Sequence, residues 1–212
     1  IYEKVRLARS LGKMQYFSTT NDGPDFLPTR EEYVALSRRI VATSYACGSA
    51  TLVPWDVWRR GTSTPRFFGT TGEFGDLFTF VATNPRLFEG KAEVFATGAG
   101  VETRAEQGVP PGLVRLGKNA DTLFVTVRAA RRDDRAEVVV HLVDWADRPE
   151  PVAVELADEP FGGSAAEPLD VRLFVPGEPT RSPRTTRTAN ATTRVELPAL
   201  KPYALVVITP PN

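Results

Sequence analysis

The sequence predicts an α/β segment followed by an all-β segment: the last strands and helices of a (β/α)8 barrel, then an antiparallel β-sandwich. Helix and strand signals alternate over residues 1–100. Over residues 101–212, short runs that alternate apolar with polar side chains are separated by turn signals. The first part also holds two of the three tryptophans and four of the five tyrosines. We therefore expect one domain at 1–100 and a second at 101–212.

The first part predicts βα units of a parallel sheet. Thr29 and Glu32 have the spacing of a capping box, in which each side chain satisfies a free backbone N–H of the first helical turn. Gly12 and Gly48 suit the ends of helices. The expected order is helix, buried strand, helix, buried strand and helix, at residues 1–11, 14–18, 30–47, 50–55 and 74–84.

The second part predicts a β-sandwich, because its strands are short, alternating and regularly spaced. Glycine-rich linkers are expected at 97–100 and 108–112, and a mobile surface loop at 181–193. Six strands are expected, at residues 122–128, 137–144, 151–156, 170–175, 193–197 and 203–209.

Two parallel strands cannot close a domain, since their sheet keeps bare edges and uncovered faces. A (β/α)8 barrel needs roughly 250 residues, so the first part fits the last quarter or third of one. The chain begins at Ile1 with neither an initiator methionine nor a signal peptide, which we interpret as a processed or truncated piece. We expect a missing N-terminal barrel segment or a partner chain.

Composition excludes several function classes. Lys+Arg and Asp+Glu both number 26, so no global basic field attracts nucleic acid. No apolar run reaches membrane-spanning length. A single cysteine and a single histidine make a zinc site improbable, and no phosphate-loop or dinucleotide motif occurs, so neither metal nor cofactor is expected. Both secreted and cytoplasmic bacterial locations remain open.

The strongest chemical signal is Asp56, which follows a predicted strand and lies between Trp55 and Trp58. In a barrel, an acid at the carboxyl end of a strand faces the active site. Indole faces stack on pyranose rings while a carboxylate binds hydroxyls, so this segment suits a sugar subsite. Asp56 is a candidate catalytic carboxylate or hydroxyl-binding residue. The alternative is that Trp55 and Trp58 belong to the core and that Asp56 caps a helix or pairs with an arginine.

Other polar residues are weaker candidates. Asn21 and Asp22 follow the first predicted strand and would open on the same face as Asp56, but such residues also form turns. Arg66 lies in the loop after Asp56, where it either contacts substrate or forms surface ion pairs. His141 sits mid-strand without a nucleophile motif, which indicates a structural histidine.

Several segments resemble a group of bacterial glycoside hydrolases over nearly the whole chain. They include Tyr-Ala-Cys-Gly at 45–48, Val-Pro-Trp-Asp-Val-Trp at 53–58, Pro-Arg-Phe-Phe-Gly at 65–69 and Val-Val-His-Leu-Val-Asp-Trp at 139–145. The resemblance implies a barrel end followed by the β-sandwich that such barrels carry. It also implies a catalytic nucleophile after strand 7, so Asp56 is the nucleophile if residues 14–18 are strand 6, and a subsite residue if they are strand 7. Residues 92–96, the alternative strand 8, are short and Gly-bounded, which favours Asp56 after strand 8.

The sequence thus predicts the C-terminal part of a glycoside hydrolase, which contributes sugar-subsite residues and an accessory sandwich and is inactive alone. Its expected ligand is an oligo- or polysaccharide. The alternative is a non-catalytic carbohydrate-binding or interaction module, with the sandwich as the binder. Buried aromatics in the sandwich would favour the first function, and an exposed aromatic row would favour the second.

Overall fold

The computed structural model describes residues 1–17, 29–51, 71–130, 137–164, 168–188 and 191–209. These residues form three α-helices and mostly antiparallel sheets, a mixed and predominantly β fold. Contacts within the chain define two compact units, a helical unit at Ile1–Thr83 and a two-sheet unit at Asn84–Asn212.

The helical unit has the predicted order of helix, strand, helix, strand and helix. Its strands pair in parallel, with Tyr16 opposite Ala50 and Phe17 opposite Thr51. A parallel pair needs a crossover connection, and the second helix lies between the two strands in the chain. The elements are α1 (Tyr2–Ser10), β1 (Tyr16–Phe17), α2 (Arg30–Ala46), β2 (Ala50–Thr51) and α3 (Thr71–Thr83).

The capping box at the start of α2 is confirmed. Thr29 Oγ1 accepts the Glu32 N–H at 3.2 Å, and Glu32 Oε2 accepts the Thr29 N–H at 3.2 Å. The expectation of a buried strand at 14–18 is wrong for two side chains, since Met14 is 67% and Tyr16 55% exposed. Within the described ranges β1 pairs with β2 alone, so its other edge has no strand partner there.

The two-sheet unit contains antiparallel strands. One sheet has the order β4-β3-β6-β7-β12-β9 and the other the order β10-β11-β8-β5. The six predicted strands are confirmed with small changes at their ends. The strands are β3 (Lys91–Gly98), β4 (Val101–Ala105), β5 (Val114–Arg115), β6 (Leu123–Ala130), β7 (Val138–Asp144), β8 (Pro151–Ala157), β9 (Asp170–Phe174), β10 (Arg184–Thr188), β11 (Thr192–Ala199) and β12 (Tyr203–Thr209).

One hydrophobic core unites the two sheets. Alternate residues of the longer strands enter it, as the pleat requires, with Val125, Val140 and Val206 from the larger sheet and Val154 and Val195 from the smaller one. The central strands β6, β7 and β12 are buried on both faces, which explains their nearly continuous apolar sequence.

Residues 92–96, the less favoured alternative for strand 8, lie in β3, which pairs antiparallel with β6, so they form no parallel strand, as the sequence favoured. Two expectations for this part need correction. The expected linker at 97–100 contains a two-residue hairpin turn between β3 and β4, in which Ala99 and Gly100 both have positive φ. The expected mobile loop at 181–193 contains β10, which pairs with β11 along its whole length.

Candidate functional site

The candidate site is the carboxyl edge of the parallel pair, where β1 ends at Phe17 and β2 ends at Thr51. Side chains fix the two strands to each other beside the backbone ladder. Thr51 Oγ1 donates to the Phe17 carbonyl at 3.1 Å, and Ser49 Oγ donates to the Gln15 carbonyl. Because parallel strands run in one direction, both chain segments leave this pair from the same edge.

The six sequence-predicted site residues belong to these two segments and lie outside the described residues. Asn21 and Asp22 follow β1, while Trp55, Asp56, Trp58 and Arg66 follow β2. The structure therefore fixes the strands that lead into the predicted site.

An ion pair between α2 and α3 supports the helical unit. Arg38 Nη1 and Nη2 donate to Asp76 Oδ1 and Oδ2 at 2.7 and 2.6 Å, a two-pronged geometry that fits guanidinium to carboxylate. Arg38 also donates to the Glu73 carbonyl. Burial alone would raise the pKa of Asp76, but the hydrogen bonds and charge of Arg38 outweigh burial and lower it. Asp76 is therefore held ionised and serves to join two helices.

The side chains at the end of α2 are buried and suit packing rather than catalysis. Burial raises the pKa of the Tyr45 hydroxyl, and the Tyr45 ring meets Phe78 edge-on at 6.3 Å. Cys47 is fully buried, and its carbonyl accepts a hydrogen bond from Arg9 of α1. A buried thiol on an apolar stretch matches the inert packing expected of it.

The two-sheet unit contains a buried polar cluster that the sequence did not indicate. Asp158 is almost fully buried and accepts the Thr193 hydroxyl at 2.6 Å. Arg187 Nε lies 3.0 Å from the second carboxylate oxygen, as an ion pair rather than an aligned hydrogen bond. Thr193 is 35 residues from Asp158, so only the strand register brings them together. The carboxylate thus has a hydrogen bond on one oxygen and an ion pair on the other, which indicates a structural role.

His141 is fully buried in β7, as expected of a structural histidine. Its Nδ1 lies 2.6 Å from the Tyr203 hydroxyl, and its ring meets Phe88 edge-on at 5.6 Å. Burial, with the nearby positive charges of Arg128 and Lys91, lowers the pKa of His141 well below its usual value. The imidazole is thus neutral at pH 7, and no described acid or nucleophile of the kind used in catalytic triads is hydrogen-bonded to it.

Within the described part of the chain, no group of three or more His, Cys, Asp and Glu side chains is arranged to hold a metal ion. No helix there is both long and apolar enough to cross a membrane.

Comparisons with known proteins give weak similarities. No family model and no curated protein matches the chain. A glycoside hydrolase family 30 subfamily 8 xylanase from Clostridium acetobutylicum aligns with 96% of this chain and 44% of its own, at 13% identity and a TM-score of 0.43. This chain thus spans less than half the length of that xylanase.

Two further structures align over smaller parts. The alignment with the catalytic domain of a GH30 xylanase C from Talaromyces cellulolyticus covers 42% of this chain and 18% of the xylanase chain, at 16% identity and a TM-score of 0.28. The alignment with an α-L-fucosidase isoenzyme 2 from Paenibacillus thiaminolyticus covers 47% of this chain and 16% of the fucosidase chain, at 15% identity and a TM-score of 0.30. TM-scores below 0.5 do not establish a common fold.

Proposed function

We propose that this chain is the C-terminal part of a carbohydrate-active glycoside hydrolase. The observation that carries the proposal is the parallel β1–β2 pair, because the segment with Trp55, Asp56 and Trp58 leaves its carboxyl edge. In α/β barrels, residues at this edge form the active site. The sequence resemblance to bacterial glycoside hydrolases supports the same function.

The residues after the two strands have different proposed roles. Trp55 and Trp58 stack on sugar rings, and Asp56 binds hydroxyls or acts as one of the two carboxylates that glycosidases require. Asn21 and Asp22 follow the neighbouring strand and add polar contacts to the same oligo- or polysaccharide. Arg66 belongs to the segment after Asp56 and contributes a positively charged hydrogen-bond donor.

A further chain segment completes the proposed barrel. The carboxyl edge has only two strands within the described residues, and four large apolar side chains before and at β1 are exposed among polar ones. These side chains fit contact with another βα unit, supplied by an N-terminal segment or a partner chain; they are Leu7, Leu11, Met14 and Tyr16. Only one of the two required carboxylates is present as a candidate, so the chain alone is inactive.

The two-sheet unit is the accessory sandwich in this proposal. Its aromatic residues favour packing over ligand binding, because Phe124, Phe161, Phe174 and Tyr203 are buried. Trp145 is half-buried, and the described part of this unit presents no row of exposed aromatic rings. These observations disfavour the alternative of a carbohydrate-binding module built on the sandwich.

Two measurements test inactivity and the missing segment. The pure chain is incubated with aryl glycosides and plant polysaccharides, and we expect no hydrolysis; any release of product above a heat-treated sample contradicts the proposed inactivity. The gene upstream of the Ile1 codon is also read. About 250 further residues with strand and helix repeats would support the barrel, and an in-frame stop codon would contradict it.

A binding experiment tests the site itself. Xylohexaose and cellohexaose are titrated into the chain while tryptophan fluorescence is followed. We expect Trp58→Ala to weaken binding about tenfold, equivalent to ~1.4 kcal/mol, and Asp56→Asn to weaken it as well. Trp145→Ala, in the two-sheet unit, is the matched control and should leave affinity unchanged. Equal losses in Trp58→Ala and Trp145→Ala would reject a site at the carboxyl edge.

A further inference from the structure

His141 lies at the centre of the six-stranded sheet, on the face opposite the shared core. In β7 the neighbours Val140 and Leu142 point into that core, so the alternation of the strand turns His141 the other way. Tyr203 of β12 is directed to the same face and holds Nδ1 through its hydroxyl at 2.6 Å. The histidine is completely buried there.

The second ring nitrogen, Nε2, faces no described acceptor for the N–H that the protonated imidazole would carry. His141 Nε2 is buried without a hydrogen-bond partner within the part of the chain that the structure describes. The charged groups around the ring are mainly positive, with Arg128 from β6 and Lys91 from β3. Glu93 of β3, opposite Arg128 in the register, is a carboxylate beside one of these cations. A protonated imidazole would therefore bury an N–H without an acceptor beside two cations.

A short segment, which we name the connector (residues 84–90), is held to the sheet at this position. It contains a 3-10 turn at Pro85–Leu87, with Leu87 fully buried and Phe88 edge-on against the His141 ring. Arg86 forms an ion pair with Glu137 at 2.7 Å. The connector thus has one aromatic contact, from Phe88 to His141, and one exposed ionic contact, from Arg86, on either side of the buried Leu87.

The residue after the connector strengthens the same attachment. Lys91 Nζ donates to the Glu137 carbonyl at 2.8 Å, and Arg128 Nη2 donates to the Lys91 carbonyl at 2.5 Å. These contacts place two cations beside the point where the connector enters β3. A third positive charge on His141 would act on the groups that hold the connector.

We propose that His141 is a pH-sensitive contact that holds the connector to the six-stranded sheet when neutral and releases it when protonated. Neutral imidazole packs edge-on against Phe88 and keeps its hydrogen bond to Tyr203. The protonated ring is repelled by Arg128 and Lys91 and takes up water, which requires Phe88 to leave. The core between the two sheets lies on the other face and stays intact.

The direction of the pH dependence follows from the lowered pKa of His141. In the unfolded or released segment the imidazole has a pKa of about 6.5, and in the closed state the value is well below that. The contact is therefore fully stabilising above about pH 6.5 and weakens as pH falls towards the closed-state value. Between these two pKa values, the equilibrium constant for release rises up to about tenfold for each unit by which the pH falls.

The single histidine of the chain makes the test direct. The Cε1–H resonance reports protonation of His141, and amide hydrogen exchange reports opening of Leu87, Phe88 and Glu89. We expect protection factors at these amides to fall along the histidine titration, while the β12 amides stay protected. If His141 titrates and connector protection does not change, the proposal is rejected. A histidine that titrates near 6.5 in the closed state rejects it too.

Three variants separate the histidine from the other contacts. His141→Gln stays uncharged and should make connector protection independent of pH. Lys91→Gln removes one neighbouring charge and should move the histidine titration and the loss of protection together to higher pH. That second variant keeps the test valid if His141→Gln does not fold. Arg86→Gln, which removes the exposed ion pair, should lower protection at every pH without moving the midpoint.

Discussion

Arg38 of α2 and Asp76 of α3 are joined by two parallel hydrogen bonds of 2.7 and 2.6 Å. Both side chains are partly buried, with Arg38 the less exposed of the two. α2 lies between β1 and β2 in the chain, so this pair joins the helix of the βα unit to α3. Four measurements on this pair and on the two-sheet unit test the structure.

Removal of the Arg38 guanidinium should destabilise the helical unit. Arg38→Gln leaves the Asp76 carboxylate without its two charged donors, and we expect a loss of about 1–2 kcal/mol in the free energy of unfolding, since partial exposure screens the pair. Urea unfolding followed by circular dichroism gives the value. Arg6→Gln breaks an exposed i,i+3 pair with Glu3 and should change stability by less than about 0.5 kcal/mol. Equal effects would contradict the structure.

The same pair should make stability depend on pH. Burial acts to raise the pKa of Asp76, and Arg38 lowers it by more, so the net shift is downward. The contribution is complete above the unfolded-state pKa of about 3.9 and is lost as pH falls through the lower folded-state value. We expect the stability difference between the native chain and Asp76→Asn to shrink with acid. A difference that is constant from about pH 5 to 2 would disagree.

Gly98 should not tolerate a side chain. Its φ is +87°, and an added Cβ would lie 2.0 Å from the Leu123 carbonyl oxygen and 2.5 Å from Leu116 Cδ1. We expect Gly98→Ala to cost about 2–5 kcal/mol, from the left-handed backbone and the overlap together. Gly100→Ala is the matched control, since Gly100 also has positive φ but open space around it. It should cost only about 1 kcal/mol, and thermal unfolding distinguishes the two.

The buried carboxylate of Asp158 should depend on Arg187. Arg187→Gln leaves an uncompensated charge in the core and should cost about 3 kcal/mol. Asp158→Asn keeps an acceptor for Thr193 and frees a partly exposed arginine, so about 1 kcal/mol is expected. The double variant should therefore be more stable than Arg187→Gln alone. Chemical denaturation of the three proteins provides the comparison, and additive losses would show that the two groups do not interact.

Sequence patterns predicted those elements that bury apolar side chains at regular spacing. β6, β7 and β12 are rich in valine and leucine, and the alternation in β8 and β11 is clear. The capping box of α2 was recognised because its two partners are only three residues apart. Local chemistry was sufficient in these cases.

Elements without such a pattern were missed. The sequence of β10, Arg-Thr-Thr-Arg-Thr, has no apolar alternation, so only its pairing with β11 identifies it as a strand. The glycine-rich sequence around Ala99 and Gly100 predicts a linker as readily as a hairpin turn, because glycine at positive φ occurs in linkers and in turns. Met14 has an apolar side chain but lies outside the core.

The candidate site was predicted through the strands before it. Parallel pairing of β1 with β2 follows from the order of the elements, and it directs both following segments to one edge. Asp56 and its neighbouring tryptophans stay predictions. The clusters around Asp158 and His141 could not be found from the sequence, because their partners are dozens of residues away and meet only through strand register.

β10 has a consequence for the behaviour of this chain at high concentration. Among the described strands it forms one edge of the four-stranded sheet, a position where backbone groups can accept a strand from another molecule. Arg184, Thr185 and Thr186 are exposed along it, so an incoming strand would have to strip water from a guanidinium and two hydroxyls. The polar composition of β10, which lacks the apolar alternation typical of strands, thus protects the sheet against edge-to-edge aggregation.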